Sequence, residues 1–180
     1  MLKRGAIGFS THKDKPLSRL IRWFTKYKYS HSFVVSDVVK NRVYLLEVEA
    51  PQVAFSTLDS YNIPTVEYEI WYPIGMDEAE IDQALRHTER IFLKKKYSWA
   101  SLVGIAITII VQKVFGKVIK NPLRMGAWCA EADWHYLSAL MPDLFGWMDH
   151  STVSPKDLHM IVSESGRFER VAWSEFSDTK

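Results

Sequence analysis

The chain carries a single cysteine, Cys129, and this one feature excludes several ways of stabilising a fold. One thiol cannot build a disulfide framework within the chain, and it cannot supply the several thiolates of a cysteine-rich zinc site. The fold must therefore be held by a hydrophobic core. With 180 residues, 47% of them hydrophobic, the chain is long enough to bury a sizeable core, and we predict one domain over residues 1–180.

Charge and composition exclude several classes of partner. The net charge of +2 gives no reason to expect nucleic acid. The basic and aromatic clusters at 26–29 and 94–97 are typical of solvated lysines near helix ends. No spacing of histidines and acids matches a zinc hydrolase, so we predict neither a metal nor a cofactor.

The first residues lack the apolar stretch of an export signal, which predicts a cytoplasmic protein. Delivery to the cell envelope by a phage-type route would need no such signal.

The pattern of apolar residues predicts an α+β protein. Alternating, β-branched runs predict strands at 6–10, 31–36, 42–49, 66–72 and 168–173, with the second and third forming a hairpin. Helices are predicted from Pro16, from a capping box at Asp77 to about residue 94, from Cys129 to about residue 140, and from Pro155 to residue 159.

A long apolar segment interrupts this order. Residues 100–111 contain no charged side chain, but they fall well short of the ~20 residues that span a bilayer. We predict a helical insertion over about 99–120, with Lys113, Lys117 and Lys120 at helical spacing. It is either a buried core helix or a lid that could contact a membrane surface.

Cys129 lies where a predicted helix begins, in Trp128-Cys129-Ala130-Glu131. The unpaired N–H groups and the positive dipole end of a helix start both favour a thiolate over a thiol. Position alone leaves two interpretations, a small buried core residue or a nucleophile. The second requires a base and a group that orients the base.

Among the six histidines, His31 is the best candidate for the base. It opens an apolar strand, and strand alternation puts His31, Phe33 and Val35 on one face. A rigid strand fixes the direction of an imidazole, although a hydrogen-bonded histidine at a strand end would have the same pattern. The other histidines lie on another side of the Cys129 helix, in loops or on polar faces, without convergent groups: His12, His87, His135, His150 and His159. Asp133, one turn after Cys129, is expected to be solvated.

Two glutamates in the next strand, Glu47 and Glu49, share one face. A carboxylate inside an apolar strand is costly unless it is paired, and an imidazole on the neighbouring strand of the hairpin is a natural partner. The residues alone do not set the register. An exposed face of an edge strand remains the alternative interpretation.

Five short segments, in this order, resemble the circularly permuted papain-like cysteine hydrolases, the YiiX-like and YaeF-like branch of the NlpC cell-wall peptidase superfamily. The segments are Ser30-His31, Leu46-Glu47 followed by Val53 and Leu58, Lys96-Tyr97-Ser98, Trp128-Cys129-Ala130-Glu131, and Ser154-Pro155-Lys156-Asp157-Leu158. The resemblance covers the chain from Gly5 to about Trp173. The chain departs from the family in three ways: Ala130 stands where the family usually has serine, the secretion signal of many members is missing, and the insertion is long.

This resemblance implies a permuted papain-like, NlpC-type fold, in which an antiparallel sheet packs against helices and the nucleophile lies at a helix N-terminus. It also implies a triad of Cys129, His31 and Glu47, with Glu49 as the fallback for the third position. In such a triad the imidazole takes the thiol proton, the thiolate forms a thioester, and the glutamate holds the imidazole. The backbone N–H of Cys129 would be one oxyanion donor.

The resemblance also implies the class of substrate. The superfamily includes amidases of peptidoglycan peptides, and one permuted group resembles lecithin:retinol acyltransferase. We therefore expect a thiol hydrolase that cleaves an amide or peptide bond, for example in a peptidoglycan stem peptide. One alternative is a lipid acyl hydrolase or acyltransferase at a membrane surface. The other is a catalytically silent binding module of the same fold.

Overall fold

The computed structural model describes residues 2–40, 42–49, 52–93 and 128–171, together with scattered positions between 95 and 119. Most of the predicted insertion over about 99–120, and the end of the last predicted strand, lie outside the described residues. Within the described part of the chain, every helix is too short or too polar to cross a bilayer.

Six strands form one sheet in which all neighbours are antiparallel. The order across the sheet is β4-β3-β2-β1-β5-β6. The strands are β1 (Ile7–His12), β2 (His31–Val39), β3 (Arg42–Glu49), β4 (Gln52–Thr57), β5 (Val66–Pro73) and β6 (Phe168–Arg170). The predicted α+β class and the β2–β3 hairpin are confirmed, whereas β4 was not predicted.

Five α-helices are described in these ranges, with a 3₁₀ helix at Leu58–Tyr61. They are α1 (Pro16–Thr25), α2 (Glu78–Phe92), α3 (Cys129–Leu140), α4 (Pro142–Phe145) and α5 (Pro155–Glu164). The predicted capping box at Asp77 is present, and Ser154, the N-cap of α5, forms a second one with Asp157. The helix after Ser154 was predicted to end at residue 159, which is wrong. It continues because buried Val162 extends its apolar face.

The central strands are buried on both faces of the sheet. On one face β1 and β2 pack with α2 and α3, through residues such as Phe9, Leu85 and Leu137. On the other face Phe33, Leu45, Tyr61 and Ile70 form a second cluster. Gly8 is required in β1 because a Cβ at this position would lie 2.2 Å from the Phe33 ring. The helix that begins at Cys129 packs against the strand that begins at His31.

Candidate active site

His31 and Glu47 meet on the sheet. In the β2–β3 ladder Val34 pairs with Leu46, which puts Glu47 diagonally across from His31 on the same face. The Nε2 atom of His31 lies 2.9 Å from Oε2 of Glu47, whose side chain is only 3% exposed. A hydrogen bond of this kind fixes the orientation of the imidazole.

The Glu47 carboxylate is held from a second side by a residue that the sequence did not indicate. Tyr61, at the end of the 3₁₀ helix, donates its hydroxyl proton to Oε2 of Glu47. Its ring stacks on His31, with 6.4 Å between the ring centroids and 15° between the planes. Burial raises the pKa of Glu47, but the hydrogen bond and charge of His31 outweigh this and lower the pKa to about 2. Glu47 is therefore ionised at neutral pH.

The structure thus pairs His31 with Glu47, the first of the two glutamates considered above. Glu49 is the last residue of β3, where its backbone pairs with Gln52.

Cys129 is the first residue of α3, as predicted, and it is 8% exposed. The N-cap residue, Trp128, provides no side-chain hydrogen bond to the helix start, so no side chain at that position competes for the first N–H groups. The indole of Trp128 instead donates to the backbone oxygen of Val153 over 3.2 Å, which anchors the start of the helix.

The thiol of Cys129 and the imidazole of His31 are in contact. Burial alone lowers the pKa of His31, but the charge of Cys129 and a hydrogen bond to it, followed by those of Glu47, raise that pKa well above 6.5. Because Nε2 is occupied by Glu47, Nδ1 is the ring atom that remains for the sulfur. The three predicted residues therefore come together as thiol, imidazole and carboxylate.

Asp133 was expected to be solvated, and this is wrong. Its side chain lies on the buried face of α3 and the residue is 1% exposed. Burial is the main cause that raises the pKa of Asp133 to about 7. The sequence of α3 could not reveal this burial, because an aspartate in a helix is usually exposed.

His159 was assigned to a loop or polar face, which is also wrong. It is 4% exposed, and its Nδ1 lies 2.7 Å from the Tyr27 hydroxyl. Its Nε2 contacts Oε1 of Glu69, which also accepts from the indole of Trp71 over 3.1 Å. The ring packs edge-on against Phe9. A glutamate inside the apolar β5 run was the available signal for a buried partner.

An apolar groove of about 580 Å³ lies between α1, the segment after α4, and α5. Val153, whose backbone oxygen holds Trp128, is one of its lining residues. Further apolar lining residues come from α1, the segment after α4, and α5: Phe24, Trp147, Met148, Met160 and Ile161.

Comparisons with known proteins relate the chain to one fold. No family model matches it, and no curated protein matches its sequence. It is similar to a solved structure, that of the metalloprotein yiiX from Escherichia coli O157:H7, DUF1105. The two share 19% sequence identity with a TM-score of 0.51, over 94% of this chain and 96% of that one. This chain therefore has a YiiX-like fold.

Proposed function

We propose that this protein is a thiol hydrolase that cleaves an amide or peptide bond through a Cys129–His31–Glu47 triad. The observation that carries the proposal is the imidazole of His31, which lies between a buried, ionised glutamate and the only cysteine of the chain. The YiiX-like fold agrees with the family that the sequence resembles.

The first half of the reaction forms a thioester. His31 takes the proton of Cys129, and the thiolate attacks the carbonyl carbon of the substrate. The tetrahedral intermediate collapses, the C–N bond breaks, and the imidazolium returns the proton to the leaving amine. Glu47 stabilises the imidazolium throughout, and Tyr61 holds Glu47 in place.

The second half releases the acyl group. His31 takes a proton from water, and the resulting hydroxide attacks the thioester carbonyl. The thiolate then leaves, giving a carboxylic acid and regenerating the ion pair. The developing oxyanion would be stabilised by the backbone N–H of Cys129 at the start of α3, an interaction worth roughly 3 kcal/mol when well aimed.

No step of this mechanism uses a metal ion. The structure of yiiX is described as that of a metalloprotein, and that description concerns yiiX. Within the residues described for this chain, no group of three histidine, cysteine or acidic side chains could hold a metal.

The test is to trap the thioester with peptidoglycan stem peptides and to read the mass of the protein. We expect an acyl adduct on Cys129 that is absent from Cys129→Ala and disappears with hydroxylamine. Turnover by Cys129→Ala at the wild-type rate would contradict the proposal, as would the absence of both adduct and turnover with peptide and lipid substrates. That last result would favour the binding module.

The two glutamates of β3 give a matched pair of variants. Glu47→Gln keeps the hydrogen-bonding shape but not the charge that stabilises the imidazolium, so we expect kcat to fall by about 10²–10⁴-fold. Glu49→Gln should change kcat much less. Both are measured on the substrate that gives the adduct, and the opposite ranking would mean that the wrong glutamate has been assigned.

A second candidate function is lipid acyl chemistry at a membrane surface. The apolar groove lined by Val153 favours it, as do three apolar side chains with large exposed fractions: Leu20 at 50%, Trp23 at 70% and Trp147 at 74%. Phospholipid vesicles replace the stem peptide in the trapping experiment. A fatty-acyl adduct on Cys129 would support this candidate, and a peptide adduct alone would exclude it. Contact between a membrane and residues 99–120 remains a prediction.

A further inference from the structure

Helix α1 is attached to the sheet through its polar side. Of its residues, all of which the structure describes, only Ser18 is buried. The Ser18 hydroxyl lies 2.6 Å from that of Ser30 and 3.3 Å from that of Thr11. It also accepts from the backbone N–H of His12 over 3.2 Å. Thr11 and His12 end β1 and Ser30 precedes β2, so these hydrogen bonds fix the polar side of α1 against the sheet.

The apolar side of α1 points away from this attachment. Its residues cover an arc of about 160°, whose centre lies about 140° around the helix from Ser18. They are Leu17, Leu20, Ile21, Trp23 and Phe24. Leu20 is 50% exposed and Trp23 is 70% exposed, and the core clusters of the described residues contain no side chain of this arc. The apolar arc of a surface helix usually faces the core, so α1 presents to its surroundings the side that is normally covered.

Basic residues surround the apolar arc. Between residues 13 and 28 the only acidic residue is Asp14, whereas the basic residues are Lys13, Lys15, Arg19, Arg22, Lys26 and Lys28. Lys13 and Lys28 have glutamate partners in β5. Arg19 is exposed and precedes Trp23 by four residues, which makes the two side chains neighbours at the border of the arc. The surface around α1 is therefore both apolar and positively charged.

The apolar arc continues into the groove of about 580 Å³ described above. Phe24, in the last turn of α1, lines this groove together with Trp147 and Met160. The indole N–H of Trp147 donates to the backbone oxygen of Leu144 over 2.8 Å, yet the residue is 74% exposed. The exposed apolar surface thus extends from α1 to the segment after α4 and to α5.

We propose that α1 and the adjoining groove form a surface that binds an anionic phospholipid bilayer. Leu20, Trp23 and Trp147 enter the boundary between headgroups and acyl chains, where indole rings are favoured. Arg19 and the neighbouring lysines contact the lipid phosphates. This binding does not depend on the proposed triad, because it uses none of the three residues.

Two other occupants fit this surface less well. A symmetric dimer formed through α1 would bring the basic residues of two copies together, and like charges repel. A nucleic acid would be held by the basic residues, but it would leave the apolar arc in contact with water. A bilayer with anionic headgroups complements both the charge and the apolar arc.

The experiment measures co-sedimentation of the full chain with two kinds of vesicle, one of phosphatidylcholine and one of equal parts phosphatidylcholine and phosphatidylglycerol. The wild-type protein should bind the anionic vesicles about tenfold more tightly than the neutral ones, and added salt should weaken this binding. Trp23→Ala should weaken binding to the anionic vesicles about tenfold, because it removes an indole ring from the interface. Arg19→Gln should weaken it about fivefold, the effect of one basic residue near the lipid surface.

Two exposed residues on other elements provide matched controls. Phe55→Ala in β4 and Arg90→Gln in α2 should bind both kinds of vesicle as the wild type does. Cys129→Ala should also bind normally, so that a failure of hydrolysis and a failure of membrane binding are separate results. Equal affinity for the two kinds of vesicle, or equal weakening by the control variants, would overturn the proposal. Absence of vesicle binding would overturn it too, and a dimer that Trp23→Ala dissociates would then identify a second copy as the occupant.

Discussion

Replacing His31 with Ala should slow the alkylation of Cys129 sharply near pH 6 and lower kcat by about 10²–10⁴-fold. In the proposed mechanism the imidazole accepts the thiol proton, and despite its burial, Cys129 and Glu47 raise the pKa of His31 well above 6.5. An imidazole with a raised pKa is a stronger base, which favours removal of the thiol proton. Without the imidazole, the alkylation of Cys129 near pH 6 should be slow.

The matched control for this loss is His87→Ala, since His87 is an exposed histidine of α2. Its alkylation rate and kcat should equal those of the wild type. Cys129→Ala defines the background of both assays. Equal alkylation rates in His31→Ala and wild type would reduce Cys129 to an ordinary buried thiol, and the triad would then have no support.

The second large effect is expected on stability, from His159→Ala. Both ring nitrogens of His159 are hydrogen-bonded, one to Tyr27 and one to the buried Glu69, and the ring packs against Phe9. The variant loses a hydrogen bond to a charged group and leaves Glu69 with less compensation. We expect the free energy of unfolding to fall by about 3 kcal/mol, measured by urea denaturation at pH 7. Tyr27→Phe removes only the other hydrogen bond and should cost about 1 kcal/mol.

The contribution of Glu69 to the stability of the fold should decrease as the pH is lowered. Burial raises its pKa, but hydrogen bonds from His159, Tyr29 and Trp71 lower it to about 2. A carboxyl with a depressed pKa stabilises the fold above its ordinary value of 4.5. That stabilisation is lost as the pH falls from about 4.5 to about 2. A difference between wild type and His159→Ala that stays constant down to pH 2 would contradict this account.

Local signals in the sequence were sufficient to predict most of the helices and strands. The capping residues Asp77 and Ser154 sit at the starts of α2 and α5, because a cap depends only on its own helix. Strand β4 was not predicted, although Val53, Phe55 and Thr57 alternate along it, because Gln52–Thr57 is short and its pairing with β3 is a tertiary contact. The strand order, with β1 between β2 and β5, depends on contacts far apart in the chain that no local pattern encodes.

Two residues of the candidate site could be predicted because each begins a helix or a strand. Cys129 at a helix start and His31 at a strand start are of this kind. Choosing Glu47 over Glu49 requires the side-chain contact between His31 and Glu47, and that contact is a tertiary property because both glutamates lie on one face of β3. Asp133 and His159 were misplaced for the same reason, since the burial of a polar side chain depends on partners from other elements.

The three residues of the proposed triad are added to the growing chain at very different times during synthesis. The β2–β3 hairpin, with His31 and Glu47, is translated long before the helix that begins at Cys129. Until α3 has been synthesised, the chain contains His31 and Glu47 but not Cys129. In the proposed mechanism, hydrolysis therefore begins only after α3 has packed against the completed hairpin.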